Sequence, residues 1–304
     1  MSMTEEYLKP QFEFANGALF ARAPAKINLY LLVADKRPDG FHNIETLMTK
    51  ITFYDELFFE ADRVEGIELI CNGLWSPTGK DNLVYKACDI FYETVSRKPS
   101  IKITLTKNIP AGSGLGGASS DAAATLLALN RLYQEPVAAN KLFSMAAELG
   151  SDVPFFLNGP QALCSGRGEK ISKLDNIFSF LALVILPDLS VSTKMVYDNF
   201  KVDLSLFEAL KEQIKPLLLK NRVDLVLKMC ANMLAKTCFA LNNKLALLKT
   251  EIENICQLPT LLSGSGSALF VVLADKDYRK ATILQREIEG SLDCNSIIVF
   301  NNPW

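Results

Sequence analysis

At 304 residues the chain exceeds what one hydrophobic core comfortably fills, so two domains are the first expectation. Hydrophobic residues at 49% and charged residues at 22% exclude a disordered tail or a fibre. The 32 Lys and Arg against 34 Asp and Glu leave a net charge of −2, which excludes a global field for nucleic acid or an anionic membrane, so neither partner is expected.

The opening MSMTEEYLKPQFEF is polar and acidic, unlike a signal or transit peptide. KINLYLLV (Lys26 to Val33) reads as a strand, with Ile27, Leu29, Leu31 and Val33 on one face and Lys26, Asn28 and Tyr30 on the other. RPDG (Arg37 to Gly40) is turn chemistry, because Pro presets one backbone angle and Gly tolerates the tight return. A second strand run, NIETLMTKITFYDELFFE, follows. NLVYKACDIFYETVS (Asn82 to Ser96) has helical spacing, and IKITLT (Ile101 to Thr106) alternates strictly. The glycine-rich stretch from Ile109 leads into a helix ending near Tyr133, and NKLFSMAAELG reads as a second helix stopped by Gly150. GSDVPFFLNGPQALCSGRGEKI looks like turns and a hairpin. Beyond about Ser179, strands FLALVIL and ALFVVLA alternate with helices LSLFEALKEQIKPLLL and RKATILQREIEGSL. FLALVIL, the longest apolar run, is far too short to span a bilayer. The boundary is placed near residue 172, giving domains 1–172 and 173–304 of an α+β protein.

Cys71, Cys88, Cys164, Cys230, Cys238, Cys256 and Cys294 are an odd, scattered set without a C-x-x-C pair. They suit a reducing cytosol, so a cytoplasmic protein without a disulfide framework or zinc site is expected. A single histidine, His42, excludes a metal cluster built from His.

Chemistry concentrates in IPAGSGLGGASSDAAATLLALN (Ile109 to Asn130). A P-loop needs Lys and Ser or Thr after its last glycine, and Ala118 follows Gly117. Gly112, Gly114 and Gly117 match a dinucleotide fingerprint, but the preceding strand carries Lys102, Thr104 and Thr106 on one face, whereas such strands are covered on both sides. The first amides of a helix lack partners and carry the positive dipole end, so an anion binds there. On this reading Gly112 to Gly117 let backbone approach phosphate oxygens, and Ser119 and Ser120 add hydroxyl donors. Asp121, read as lying in the first helical turn, could bind a phosphate-bound magnesium ion. A plain glycine turn ended by a serine cap is the alternative.

PAGSGLGGASSDAAA resembles the phosphate-binding signature of the GHMP kinases. PAKINLYLLVADKRPDGFHNIETL, GSDVPFF and LSGSGSALF extend the resemblance, in order, over residues 20 to 272. The resemblance implies a two-domain GHMP kinase fold: an N-terminal ribosomal-protein-S5-domain-2-like domain and a smaller C-terminal ferredoxin-like domain, with the cleft between them. It implies an ATP- and Mg²⁺-dependent phosphotransferase acting on a small molecule. The branch matched phosphorylates the 2-hydroxyl of a cytidylyl methylerythritol in the non-mevalonate isoprenoid route. Asp152 would be the general base, with Lys26 beside it. Pro110, Ala111, Gly112, Ser113, Gly114, Leu115, Gly116, Gly117, Ala118, Ser119 and Ser120 would hold the ATP phosphates, with Asn82 and Lys107 near the adenosine. Asn28 would bind methylerythritol hydroxyls, Phe41 and His42 the cytosine, and Tyr197 its second face. Relatives often carry Tyr where Phe41 stands, so a hydroxyl is missing here and the stacking face is kept. Read locally, Asp152 in GSDVP is also a plausible helix cap, Lys26 a solvent-facing strand residue, and SGSGS a hairpin turn. The rival functions are another GHMP kinase acting on mevalonate or a sugar, a nicotinamide-dinucleotide oxidoreductase, and a silent nucleotide-binding regulator. The presence of both Lys26 and Asp152 speaks against the last.

Overall fold

Two long strands joined by the RPDG turn dominate the first half of the molecule in the computed structural model, which describes residues 11–15, 17–62, 64–174, 178–273, 276–301 and 304. Most of the acidic N-terminal stretch, residues 1–10, lies outside these. The first half runs β1 (Phe12–Ala15), β2 (Ala18–Lys36), β3 (His42–Ala61), β4 (Gly66–Gly73), α1 (Leu83–Thr94), β5 (Ser100–Lys107), α2 (Gly117–Leu132), α3 (Ala139–Leu149), α4 (Val153–Phe156), β6 (Gln161–Gly166) and β7 (Lys170–Lys173). The second half runs β8 (Leu181–Leu186), α5 (Thr193–Asn199), α6 (Leu204–Leu219), α7 (Val223–Lys228), α8 (Ala235–Leu241), α9 (Asn243–Cys256), β9 (Thr260–Leu262), β10 (Leu269–Leu273), α10 (Tyr278–Ser291) and β11 (Asn295–Phe300).

The first sheet has the order β1-β2-β3-β5-β4, with β6 on β3 and β7 on β6. Only β4 and β5 pair in parallel, so this is not the parallel sheet that a dinucleotide fingerprint requires. β3 changes partner along its length: Ile44 to Thr49 pair with β6, and Glu56 to Ala61 pair with β5. Between those spans, Lys50 to Asp55 turn their side chains to other work.

The second sheet, β11-β8-β10-β9, is antiparallel. Numbered within its own half the order is 4-1-3-2, the ferredoxin-like arrangement. One core cluster joins both halves: Ile27, Leu29, Tyr30 and Leu32 pack with Ala182, Val184 and Phe270.

The expected two faces of β2 are corrected by a register shift between Asn28 and Tyr30. Asn28 pairs with Met48 but Tyr30 pairs with Leu47, so Leu29 is the extra residue of a bulge and the faces exchange beyond it. Tyr30 and Leu32 therefore join the cluster of Ile27, while Leu31 and Val33 join a separate cluster around β8 and β10. Without the bulge, Leu31 and Val33 would lie on the side opposite Lys26 and Asn28.

Candidate active site

β5 delivers the chain into the glycine loop, and Asp55 fixes the point of entry. Its Oδ1 accepts the amides of Asn108 (2.6 Å) and Ile109 (2.9 Å), and its Oδ2 meets the ammonium of Lys107. Beyond that anchor the loop is held by its oxygens. The carbonyl of Ser113 accepts from the amide of Ala268, that of Gly114 from the Ser263 hydroxyl, and that of Leu115 from the amide of Lys26. The amides of Gly112 to Ser119 donate to no acceptor among the described residues, and α2 begins at Gly117 with Gly116 in the left-handed region. The loop is thus a strip of N–H donors at the positive end of a 16-residue helix, the donor set that a polyphosphate fits.

Two of the loop glycines are required by contact with other segments of the protein rather than only by approach to phosphate. A Cβ on Gly114 would stand 2.1 Å from the Ser263 carbonyl oxygen, so that glycine lets the loop lie against the SGSGS turn. A Cβ on Gly116 would meet Phe156 at 3.0 Å and the Lys26 stem at 3.1 Å.

A cleft of about 770 Å³ opens in front of the loop. It is lined by Pro110 to Gly114, Gly116 to Ser119, Lys26, Asn28, Phe41, His42, Asn82, Lys107, Asp152 and Tyr197. Of the residues expected there, Leu115 and Ser120 are not in the lining. Leu115 points into the core shared by the two sheets. Ser120 is buried, its amide bonds to the Gly116 carbonyl, and its hydroxyl has no partner among the described residues. The Ser120 amide is thus taken up within the helix, and its hydroxyl is buried outside the cleft lining.

Asp152 sits at the N-cap of α4, yet its side chain makes no capping bond. The local reading as a helix cap is therefore set aside. Its Oδ2 lies 3.8 Å from Lys26 Nζ. Lys26 is buried, and Nζ donates to Asn28 Oδ1 at 2.6 Å. Asn28 donates in turn to Thr46 Oγ1 at 2.8 Å, and Thr46 to the Tyr30 carbonyl at 2.5 Å. Burial holds the Lys26 pKa below the ordinary lysine value, with Asp152 pulling the other way. The solvent-facing alternative for Lys26 is excluded.

Asp121 is the fifth residue of α2 rather than a first-turn residue. Its Oδ2 accepts from Lys107 at 2.7 Å, and its Oδ1 is buried without a partner among the described residues. Burial raises the Asp121 pKa well above an ordinary carboxyl, Lys107 opposing and Asp55 reinforcing. Burial also works against the Lys107 ammonium, but the two carboxylates outweigh it and its pKa is raised. Lys107 and Asn82, expected near an adenosine, thus have their polar groups engaged. Asn82 caps α1 by accepting from Val84 and donates to the Pro77 carbonyl.

At the far end of the cleft, His42 Nδ1 donates to the Ala34 carbonyl at 2.8 Å, which fixes the ring. Tyr197 on α5 lies with its ring 5.6 Å from that of His42, and Phe41 is half-exposed with the Arg167 guanidinium 5.2 Å from its ring. Gly264 and Ser265 of SGSGS also line the cleft, and Ser265 pairs with Thr193 at 2.8 Å. Asp55, Thr46 and the exposed Trp75 were not anticipated. The signal for Asp55 was present: it is in phase with Leu57 and Phe59, the buried face of β3.

Residues 82–160 match the family described as GHMP kinases N terminal domain. The chain is 35% identical over 265 residues to the 4-diphosphocytidyl-2-C-methyl-D-erythritol kinase of Clostridium botulinum, covering 85% of this chain and 94% of that one. It is 38% identical over 263 residues to the enzyme of that name from Chloroherpeton thalassium, covering 86% and 90%. A crystal structure of 4-(cytidine 5'-diphospho)-2C-methyl-D-erythritol kinase superposes with a TM-score of 0.74 at 31% identity, covering 93% of this chain and 99% of that one.

Proposed function

This chain belongs to the 4-diphosphocytidyl-2-C-methyl-D-erythritol kinases within the GHMP kinases, and from that premise we propose that it transfers the γ-phosphate of ATP to the 2-hydroxyl of 4-diphosphocytidyl-2-C-methyl-D-erythritol, a step of the non-mevalonate isoprenoid route. The observation that carries the reading is the uncapped Asp152 carboxylate beside the buried Lys26 ammonium, in the same cleft as a loop whose amides from Gly112 to Ser119 have no acceptor among the described residues.

Asp152 orients the acceptor hydroxyl and takes its proton. An alcohol's proton, with a pKa roughly like the 15.7 of water, leaves for a carboxylate only once the oxygen is bonding to phosphorus, so the transfer is late. Lys26 lies against the developing charge, and its bond to Asn28 fixes the ammonium while Asn28 contacts the methylerythritol hydroxyls. The loop amides hold the phosphates, and the amide strip gains most where charge spreads over the moving group. Magnesium bound with the nucleotide would supply neutralisation of phosphate charge. Asp121 lines the same cleft with its buried Oδ1 unpartnered among the described residues, so it is the carboxylate that would hold the ion. Phe41, His42 and Tyr197 receive the cytosine ring by stacking and hydrogen bonds. The division into domains 1–172 and 173–304 is part of this reading; the two sheets separate close to it, with β7 running to Lys173 and isolated bridges joining Leu31 to Asn232 and Ile51 to Asn301. No helix among the described residues is long and apolar enough to cross a membrane, and the seven free thiols support a cytoplasmic setting.

The test is to supply ATP, Mg²⁺ and the cytidylyl acceptor and to follow ADP. Release only when both substrates are present is expected, and turnover of mevalonate or a sugar instead would overturn the substrate. Asp152→Asn should bind ATP as before while kcat falls about 10²- to 10⁴-fold.

A further inference from the structure

Lys50 is a buried lysine that the scheme above leaves without a task. Its side chain is 1% exposed and does not line the cleft. No carboxylate lies within ion-pair distance among the described residues. Instead Nζ donates to the backbone carbonyls of Phe156 (3.1 Å) and Asn158 (2.6 Å). Its own amide donates to the Pro160 carbonyl at 2.8 Å, so the residue is tied to the end of α4 and to the segment following it.

α4 has four residues and spans about 6 Å. A helix this short has almost no internal bonding, so its placement depends on what holds its ends. Asp152 leaves the leading end without a side-chain cap. The trailing end is where Lys50 acts, on the carbonyl of Phe156, the last residue of α4, and on that of Asn158 two residues beyond. Lys50 and Lys26 are directly paired across β2 and β3. One rung of the sheet therefore reaches both ends of α4: Lys26 to Asp152, and Lys50 to Phe156 and Asn158. The Phe156 ring also packs where a Gly116 side chain would stand, which links α4 to the glycine loop.

We propose that Lys50 is a positioning residue for phosphoryl transfer, fastening the trailing end of α4 and so fixing where Asp152 stands at the other end. The proposal rests on Asp152 being the base. Burial pushes the Lys50 pKa down to about 7, the cost of keeping an ammonium out of water.

The experiment compares wild type with Lys50→Met in steady-state kinetics and in amide hydrogen exchange of residues 153–158 against α1. The expected result is a kcat at least tenfold lower, KM for ATP and acceptor within twofold, and exchange accelerated in 153–158 but not in α1. A folded variant with kcat within twofold of wild type overturns the proposal. So does KM rising as much as kcat falls, or exchange rising equally in both segments. If Lys50→Met does not fold, the same criteria apply to Lys50→Gln, which keeps a polar amide. Wild type without turnover, or Asp152→Asn with full turnover, overturns the catalytic reading instead. The exchange result then still decides whether Lys50 holds α4.

Discussion

Lys107 carries the ionic balance beneath the glycine loop, one ammonium against the carboxylates of Asp55 and Asp121. All three side chains are buried, and Asp55 also holds the amides through which β5 enters the loop. Removing the cation would leave the Asp55 carboxylate out of water with no counter-charge, beside an Asp121 whose ionised form burial already disfavours. Lys107→Met is therefore expected to cost about 3 to 5 kcal/mol of stability. Urea denaturation checks this, and a loss under 1 kcal/mol would mean that the triad is slack. Much of this triad lies in the sequence as a pattern. Lys107 is in phase with Ile101, Ile103 and Leu105, and Asp55 with Leu57 and Phe59, so both are charged residues on buried faces. What the pattern lacks is the partner, because β3 and β5 are neighbours only after α1 and β4 have been placed.

At the scale of elements, the glycine loop works because other segments hold its carbonyls and leave its amides outward. Gly114 is the tightest of these contacts, and its φ of +76° lies where only glycine is comfortable. Gly114→Val would drive a branched side chain into the backbone of Ser263 and Gly266. ATP affinity should fall at least tenfold and the melting temperature should drop, because the loop can no longer lie on the SGSGS turn. Gly112→Ala is the control: its nearest neighbour would be the Ser190 hydroxyl at 3.5 Å, leaving only the backbone cost of about 1 kcal/mol at φ +68°. Equal losses of stability in the two variants, by calorimetry, would count against the packing explanation. The bulge at Leu29 belongs to the same scale. Nothing in KINLYLLV marks it, because every residue there suits a strand and only the pairing with Met48 and Leu47 reveals the extra one.

At the scale of the whole molecule, folding buries two lysines on one rung of the sheet, and stability should record it. Folding takes the Lys50 pKa from 10.5 to about 7, and it lowers that of Lys26 as well. Below about pH 7 both the folded and the unfolded chain hold the Lys50 proton, and the cost of burying the charge is fully present. Between about pH 7 and 10.5 the unfolded chain binds that proton and the folded chain does not, so the free energy of unfolding rises with pH. Wild type should therefore gain stability relative to Lys50→Met from pH 7 to pH 9.5, read as the difference in urea midpoints. A constant difference would mean that Lys50 titrates normally. By itself the sequence determined the α+β class, most of the strands and helices, and the segments that carry chemistry, because alternation, helical period and turn residues are properties of neighbouring positions. Only the tertiary structure decided that Asp152 faces Lys26 without capping α4, that Ser120 and Leu115 turn inward, that Asn82 and Lys107 spend their polar groups on the protein, and that Lys50 reaches α4. Each of these depends on contact between segments far apart in the chain, and the energy of such a contact exists only once the sheets have brought the segments together.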